Sequence, residues 1–375
     1  MGLPKPSYSF TIPSLHDSAR LDCRIYHPDI SDTFQDAAPA LRRGVVVAHP
    51  YAPLGGCYDD PVVHAAGSEF LRQGFVLGTF NFRGASSSKG RTSWSGKAEI
   101  VDYGSFVGLL VQYLSRLPIS KPDQAGSKEA RLQLVLGGYS YGSLVASNLP
   151  PVESILENFK DPLEGSAAAE ILLRAESLAS QQKQEILRQQ ITRETSQPHC
   201  TVMGGEESSP ESSQKARDTR LSLEFLHNLE LPRSLHSLRK KSHEPLHDDH
   251  SPRKSLDGKL HQAIPDISTS YFLISPLMPP VSLALIPTTA FSSWRKKDEV
   301  ICQLGLKPTL AIFGDSDTFS AVKKLRDWAE LLHRENGERF QYAEITGAGH
   351  FWREHDAEPQ MRKGLRDWIA RLELS

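Results

Sequence analysis

A Gly-x-Ser-x-Gly pentapeptide, residues 138–142, lies between two segments of different periodicity. Residues 132–136 form a short apolar run typical of a buried strand, and residues 143–148 are helix-like. The pattern predicts a sharp strand-to-helix turn that strains the backbone of Ser140 and has glycines on both sides so that it packs tightly. A helix start also favours a developing anion, so Ser140 is a candidate nucleophile; the alternative is a Gly/Ser-rich turn without catalytic function.

The segments around this pentapeptide alternate between strand and helix patterns. Short apolar or β-forming runs predict strands, and longer segments with apolar residues at helical spacing predict helices. The predicted strands are 8–12, 21–26, 44–48, 75–82, 132–136, 271–275, 308–313 and 340–345; the predicted helices are 62–73, 99–116, 321–334 and 359–374. This alternation predicts an α/β fold with a mostly parallel sheet and helices on both faces.

A serine nucleophile needs a base that a third group orients. Asp315 and Asp317 follow the predicted strand 308–313, and His350 follows the predicted strand 340–345. In a parallel sheet, the carboxyl ends of the strands meet at the edge where ligands bind. We therefore expect Ser140, one of the two aspartates and His350 to come together; the alternative for His350 is a loop histidine with ordinary hydrogen bonds. Asp315 lies nearer the strand end, where an aspartate commonly caps a loop.

Acyl transfer also needs two N–H donors where negative charge develops. The first candidate is the backbone N–H of Tyr141, directly after the serine. The second should come from the loop after the predicted strand 44–48. Pro50 and Pro53 have no N–H, which leaves Tyr51 as the candidate and Ala52 as the second choice.

Residues 150–265 interrupt the strand–helix alternation. Residues 161–195 are rich in Ala, Glu, Gln and Leu and predict helix, whereas 196–258 are rich in Ser, His, Glu, Lys and Pro and predict disorder. We expect one domain built from 1–149 and 266–375, with 150–265 as an insert. The insert begins at the C-terminal end of the helix that follows Ser140, far from the serine itself. We therefore expect it to lie at the periphery of the domain rather than to form a lid over the site.

Charge and cysteine content exclude several classes of protein. Lys and Arg total 43 against 45 Asp and Glu, so a strongly basic nucleic-acid binder is not expected. The four cysteines form no Cys-x-x-Cys pair, so neither a disulfide framework nor a zinc site is expected. His247 and His250 are spaced like metal ligands, but we expect this spacing to arise by chance. With no long apolar run and no apolar N-terminal segment, we expect a cytoplasmic protein without a transmembrane segment.

The chain resembles the α/β-hydrolase superfamily. Within it, the chain is most similar to a group of small predicted hydrolases marked by a His-Pro…Gly-Gly loop and an Asn-Phe-Arg-Gly motif. The matching residues are His49-Pro50, Gly55-Gly56, 81–84, 138–142, 314–317 and 347–350. The resemblance covers about 42–148 and 271–374. It implies the α/β-hydrolase fold, Asp317 as the acid because it ends a Gly-x-x-Asp loop, and no metal or organic cofactor.

The resemblance implies a serine hydrolase that cleaves an ester, thioester or amide through an acyl-enzyme on Ser140. Residues 276–294 leave a predicted strand at the active-site edge and are rich in Leu, Pro, Ile and Phe, so we expect a hydrophobic small-molecule substrate. Arg83 is expected to tie loops together rather than to clamp a carboxylate.

Two alternative functions remain open at this point. The chain could be a catalytically inactive, partner-binding protein whose insert is the interaction arm. It could also use the same triad as a biosynthetic acyltransferase, lyase or cyclase, because a fold does not fix a function.

Overall fold

The computed structural model describes residues 2–28, 42–93, 95–118, 131–196, 266–277 and 303–372. Their strands are β1 Tyr8–Pro13, β2 Arg20–Tyr26, β3 Arg42–Ala48, β4 Val76–Phe80, β5 Arg131–Tyr139, β6 Asp266–Ile274, β7 Thr309–Gly314 and β8 Phe340–Ile345. These form one eight-stranded sheet in the order β1-β2-β4-β3-β5-β6-β7-β8. β2 is antiparallel to both of its neighbours, β1 and β4, and all the other neighbouring pairs are parallel.

Helices cover both faces of the sheet. They are α1 Pro61–Arg72, α2 Lys97–Ser115, α3 Tyr141–Ser147, α4 Val152–Glu157, α5 Ala167–Ser196, α6 Val322–Asn336 and α7 Ala357–Leu372. On one face, α1 and α7 bury residues such as Phe70 and Trp368; on the other, α2 and α6 bury residues such as Phe106 and Leu325. The predicted fold class, a mostly parallel sheet with helices on both faces, is confirmed.

Burial on both faces explains why the central strands are apolar throughout. All five residues of β4 are buried, as are the last eight of β5 and the last five of β3. Parallel strands covered on both sides require continuous apolar runs instead of an alternating pattern. The apolar runs in the sequence therefore located these strands, with ends that differ by a few residues because strand ends depend on pairing with neighbours.

The region after α3 differs in detail from the predicted helix over 161–195. A short helix, α4, comes first, and the long helix α5 begins only at Ala167. Gly165 between them has φ of 76°, a left-handed conformation that interrupts the helix.

Two segments with sequence-based predictions lie outside the described residues. They are 196–258, predicted to be disordered, and 276–294, predicted to form an apolar wall; of these, only Ser196, Pro276 and Leu277 are described. No helix of the described residues is long and apolar enough to cross a membrane.

Candidate active site

Ser140 occupies the turn between β5 and α3. Its φ of 56° and ψ of −112° are strained for a residue with a side chain. The Ser140 N–H donates to the carbonyl of Ile274 at 2.8 Å, which attaches the turn to β6. A Cβ atom on Gly138 or Gly142 would lie 2.6 Å or 2.4 Å from the Ala48 carbonyl oxygen, so both glycines are needed for β3 to pack against the turn.

His350 and Asp317 complete a hydrogen-bonded chain with Ser140. His350 Nε2 lies 2.9 Å from Ser140 Oγ, and His350 Nδ1 lies 2.7 Å from Asp317 Oδ2. The exposed fraction is 4% for His350, 7% for Asp317 and 7% for Ser140, so water competes little for these bonds. The loops after β5, β7 and β8 bring them together at the carboxyl edge of the sheet.

The two candidate aspartates have different surroundings. The other oxygen of Asp317, Oδ1, accepts the N–H groups of Phe319 at 2.7 Å and Ser320 at 3.0 Å, so the carboxylate is held in a fixed orientation. Asp315 instead accepts the Gly347 N–H at 2.7 Å on the exposed side. Asp315 thus joins the loop after β7 to the loop that carries His350, while Asp317 contacts the imidazole itself.

Tyr51 and Tyr141, the two residues predicted to donate backbone N–H groups, lie side by side. Their ring centroids are 5.1 Å apart. Tyr141 is the first residue of α3, where a helix supplies no partner for the N–H. Tyr51 precedes a 3₁₀ turn, Ala52–Leu54, that ends at Gly55 with φ of 89°. Whether the two amides bind an oxyanion stays a prediction.

His49, which sequence reasoning treated only as part of a family motif, holds this loop from within. It is fully buried. Its Nε2 accepts the Phe82 N–H at 2.9 Å, which leaves the proton on Nδ1 to donate to the Pro50 carbonyl at 2.6 Å. Burial lowers the pKa of His49 to about 4, so the ring is neutral at physiological pH. The His-Pro motif and the Asn-Phe-Arg-Gly motif are therefore joined by a hydrogen bond.

Arg83 has the loop-tying contacts that the sequence favoured. Its guanidinium donates to the buried Asp102 carboxylate at 2.8 and 2.6 Å and to Asp17 at 2.9 Å. A third partner, Ser14 Oγ at 3.2 Å, fixes the same group to the loop after β1. The fork of Arg83 is thus occupied by partners within the chain.

Aromatic rings surround His350. Phe319 has its ring centroid 4.4 Å from the imidazole, Phe351 5.5 Å and Tyr139 5.6 Å. Phe351 is 50% exposed, whereas Tyr139 is buried. Leu277, the only leucine of the apolar segment 276–294 within the described residues, is buried in the core.

No described residues form a group of three or more His, Cys, Asp or Glu side chains that could hold a metal ion. His247 and His250 lie outside the described residues.

Comparison with known proteins gives structural but not sequence matches. No protein-family model matches the chain. No curated protein sequence matches it either.

Similar solved structures include proteins described as serine hydrolases and as an esterase. An α/β serine hydrolase without a lid from Xanthomonas campestris has 15% identity over 99% of this chain and 97% of its own, with a TM-score of 0.46. An α/β serine hydrolase homologue from Coxiella burnetii has 13% identity over 97% and 98%, with a TM-score of 0.45. An esterase from Pyrococcus furiosus has 13% identity over 97% and 90%, with a TM-score of 0.43. At such identities the chemistry has to be judged from the residues of this chain.

Proposed function

We propose that the protein is a serine hydrolase that cleaves an ester, thioester or amide of a hydrophobic small molecule through an acyl-enzyme on Ser140. The observation that carries the proposal is the hydrogen-bonded chain Ser140–His350–Asp317, with both distances below 3.0 Å. A neutral serine hydroxyl is a weak nucleophile, and an imidazole within hydrogen-bond reach can accept its proton as it attacks.

Each member of this chain has one task in the proposed reaction. Ser140 Oγ attacks the carbonyl carbon while its proton passes to His350 Nε2. Asp317 keeps the proton of the neutral ring on Nδ1 and stabilises the imidazolium that forms. His350 then gives the proton to the leaving group, and the acyl group stays on Ser140. In the second half, a water molecule attacks the acyl carbon while His350 takes its proton. His350 then returns the proton to Ser140 Oγ as the bond between the acyl carbon and Oγ breaks, and the acid leaves.

The negative charge on the carbonyl oxygen needs donors that are already in place. The Tyr141 N–H at the start of α3 and the Tyr51 N–H are the proposed donors. The Tyr141 N–H has no partner within its helix, and the bond from His49 to the Pro50 carbonyl fixes the direction of the Tyr51 N–H, which supports these two groups as donors. The apolar preference is supported by the rings of Phe319 and Phe351 beside His350.

A fluorophosphonate probe tests the nucleophile directly, because it phosphonylates activated serines. We expect labelling of the full-length chain and of Ser147→Ala, and none of Ser140→Ala. Ser147 is a matched control, since it is the last residue of the helix that follows Ser140 and its hydroxyl donates to the Leu144 carbonyl at 2.9 Å. We expect His350→Ala to lose labelling by several orders of magnitude.

Labelling must be followed by turnover of p-nitrophenyl acetate and longer acyl esters, with the released acid identified. Labelling that persists in Ser140→Ala, or a folded wild-type chain that is never labelled, would contradict the proposal and favour a partner-binding role. Labelling without release of free acid would favour acyl transfer to another acceptor.

A further inference from the structure

The main-chain carbonyl of His350 is held by side chains at the ends of two other strands, β5 and β6. Tyr139, the last residue of β5, donates its hydroxyl to this carbonyl at 2.9 Å. Ser275, directly after β6, donates to it at 3.5 Å. Trp352, two residues beyond His350, donates its indole N–H to Ser275 Oγ at 3.0 Å. These contacts are buried, so the hydrogen bonds replace water that the carbonyl would otherwise bind.

This attachment matters because β8 is not a neighbour of β5. β6 and β7 lie between them in the sheet. The loop that carries His350 contains Gly347 with φ of 75° and Trp352 with φ of 56°, so its path turns sharply on both sides of the imidazole. Backbone pairing of β8 with β7 ends at Ile345, five residues before His350. The position of His350 relative to Ser140 is consequently set by loop contacts rather than by the sheet.

Tyr139 is the residue immediately before Ser140. Successive residues at a strand end point to opposite faces, and Tyr139 lies in the core cluster with Ala348 and Trp352, on the face covered by α1 and α7. The carboxyl end of β5 is thus followed by Ser140, the candidate nucleophile, while Tyr139 on the opposite face of the sheet holds the loop that carries His350. The phenol stays a donor because burial raises its pKa above the ordinary value.

We propose that Tyr139 is a positioning residue whose hydroxyl, through the His350 carbonyl, sets the distance between His350 Nε2 and Ser140 Oγ. This inference rests on the proposed serine-hydrolase function. Proton transfer depends steeply on that distance, and a misplacement of about 1 Å can cost about 10²-fold in rate. Because the Ser275 contact would remain in a Tyr139 variant, we expect a smaller loss, about tenfold, in kcat.

The decisive comparison is Tyr139→Phe with Tyr103→Phe. Tyr103 is an equally buried tyrosine whose hydroxyl contacts main-chain groups away from His350: it lies 3.2 Å from the Val46 carbonyl and 3.0 Å from the Gly137 carbonyl, and it accepts the Gly137 N–H at 2.9 Å. Each change removes one hydroxyl and keeps the ring, and Tyr103→Phe leaves more main-chain groups without a partner, so it should cost at least as much stability as Tyr139→Phe. A purely structural role for Tyr139 predicts the same kinetics for both variants.

We expect Tyr139→Phe to lower kcat for p-nitrophenyl acetate about tenfold and to slow fluorophosphonate labelling equally, with KM unchanged within twofold. Tyr103→Phe should keep kcat within twofold. The low-field proton NMR resonance of His350 Nδ1–H, hydrogen-bonded to Asp317, should shift or broaden in Tyr139→Phe only.

Equal kcat in wild type and folded Tyr139→Phe would overturn the inference while leaving the proposed function intact. A wild-type chain without labelling or turnover would overturn the proposed function and the inference together. If Tyr139→Phe does not fold, Tyr139→Met provides the second variant, because its flexible apolar side chain fills the buried position without a donor for the His350 carbonyl. Unchanged kcat and an unchanged low-field resonance in folded Tyr139→Met would then overturn the inference.

Discussion

His49 accepts the N–H of Phe82 at 2.9 Å, and this bond joins the loop after β3 to the loop after β4. It also decides where the ring proton lies, because Nε2 cannot both accept and donate. The remaining Nδ1–H binds the Pro50 carbonyl at 2.6 Å. The carbonyl and the N–H of a trans peptide point in opposite directions, so fixing the Pro50 carbonyl also fixes the Tyr51 N–H.

His49→Phe should therefore weaken the proposed oxyanion site without touching the triad. The substitution keeps an aromatic ring against Phe82, whose centroid is 4.9 Å from the imidazole, but removes both ring nitrogens. We expect kcat for p-nitrophenyl acetate to fall by about 10²-fold, the size of the loss of one oxyanion donor, with a smaller effect on KM. His27→Phe is the control, since His27 is a partly buried ring bonded to the Tyr113 hydroxyl instead. Equal kcat in the two variants would contradict the role of His49.

The same two histidines predict how stability depends on pH. Burial lowers the pKa of both His27 and His49 from 6.5 to about 4. In the unfolded chain these histidines bind a proton near pH 6.5, whereas in the folded chain they remain neutral down to about pH 4. The free energy of unfolding therefore falls as the pH drops through this window. Between pH 7 and pH 5 each histidine should contribute a loss of about 2 kcal/mol in the free energy of unfolding.

Urea unfolding of wild type, His27→Phe and His49→Phe at pH 7 and pH 5 measures this dependence. The two histidines together lower the free energy of unfolding between pH 7 and pH 5, and each variant should lose about half of this decrease. Only His49→Phe should also lose activity. A difference between pH 7 and pH 5 that is the same in all three proteins would show that these imidazoles are not the groups responsible.

Asp317 and Asp315 offer a second matched pair. Asp317→Asn keeps the shape of the side chain but replaces the carboxylate beside His350 with an amide, which favours the wrong tautomer and does not stabilise imidazolium. We expect kcat to fall by about 10⁴-fold. Asp315→Asn loses charge at the exposed bond to Gly347 and should keep kcat within a few-fold. Kinetics of the two variants with one activated ester decide between the aspartates, and the opposite ranking would assign the acid to Asp315.

The sequence indicated the frame of this site because the frame depends on local patterns. The apolar runs of β3 and β5 mark buried strands, and the glycines at 138 and 142 mark a turn that must pack against β3. A loop directly after a parallel strand lies at the carboxyl edge, so strand order places Ser140, His350 and both candidate aspartates, Asp315 and Asp317, at that edge. Their contact at 2.7 and 2.9 Å agrees with that reasoning.

The supporting residues could not be found in this way because their partners are distant in the sequence. Tyr139 bonds a carbonyl 211 residues away, and His49 bonds an amide 33 residues away. Neither polar group has a local pattern that distinguishes it from a core tyrosine or a loop histidine. Tertiary contacts also decide the choice between Asp315 and Asp317, because the path of the turn determines which carboxylate faces His350.

Phe351 should select the leaving group. His350 has to reach the leaving-group oxygen to protonate it, so the side chains beside the imidazole border that part of the substrate. Phe319 and Phe351 lie 5.5 Å apart at near-perpendicular angles, and half of the Phe351 surface is exposed. An aromatic leaving group can pack on this ring, and aromatic contact adds about 0.5–1.5 kcal/mol beyond the area that it buries.

Two acetates separate this effect from a general loss of activity, because they share the acyl group and differ only in the alcohol. We expect Phe351→Ala to lower kcat/KM for 2-phenylethyl acetate about tenfold more than for ethyl acetate, which corresponds to about 1.4 kcal/mol. Leu331→Ala, which removes an exposed apolar side chain from α6, is the control and should leave the ratio of the two substrates as in wild type. The same ratio in wild type and Phe351→Ala would mean that the alcohol lies elsewhere, since a nonspecific disturbance of His350 lowers both rates equally.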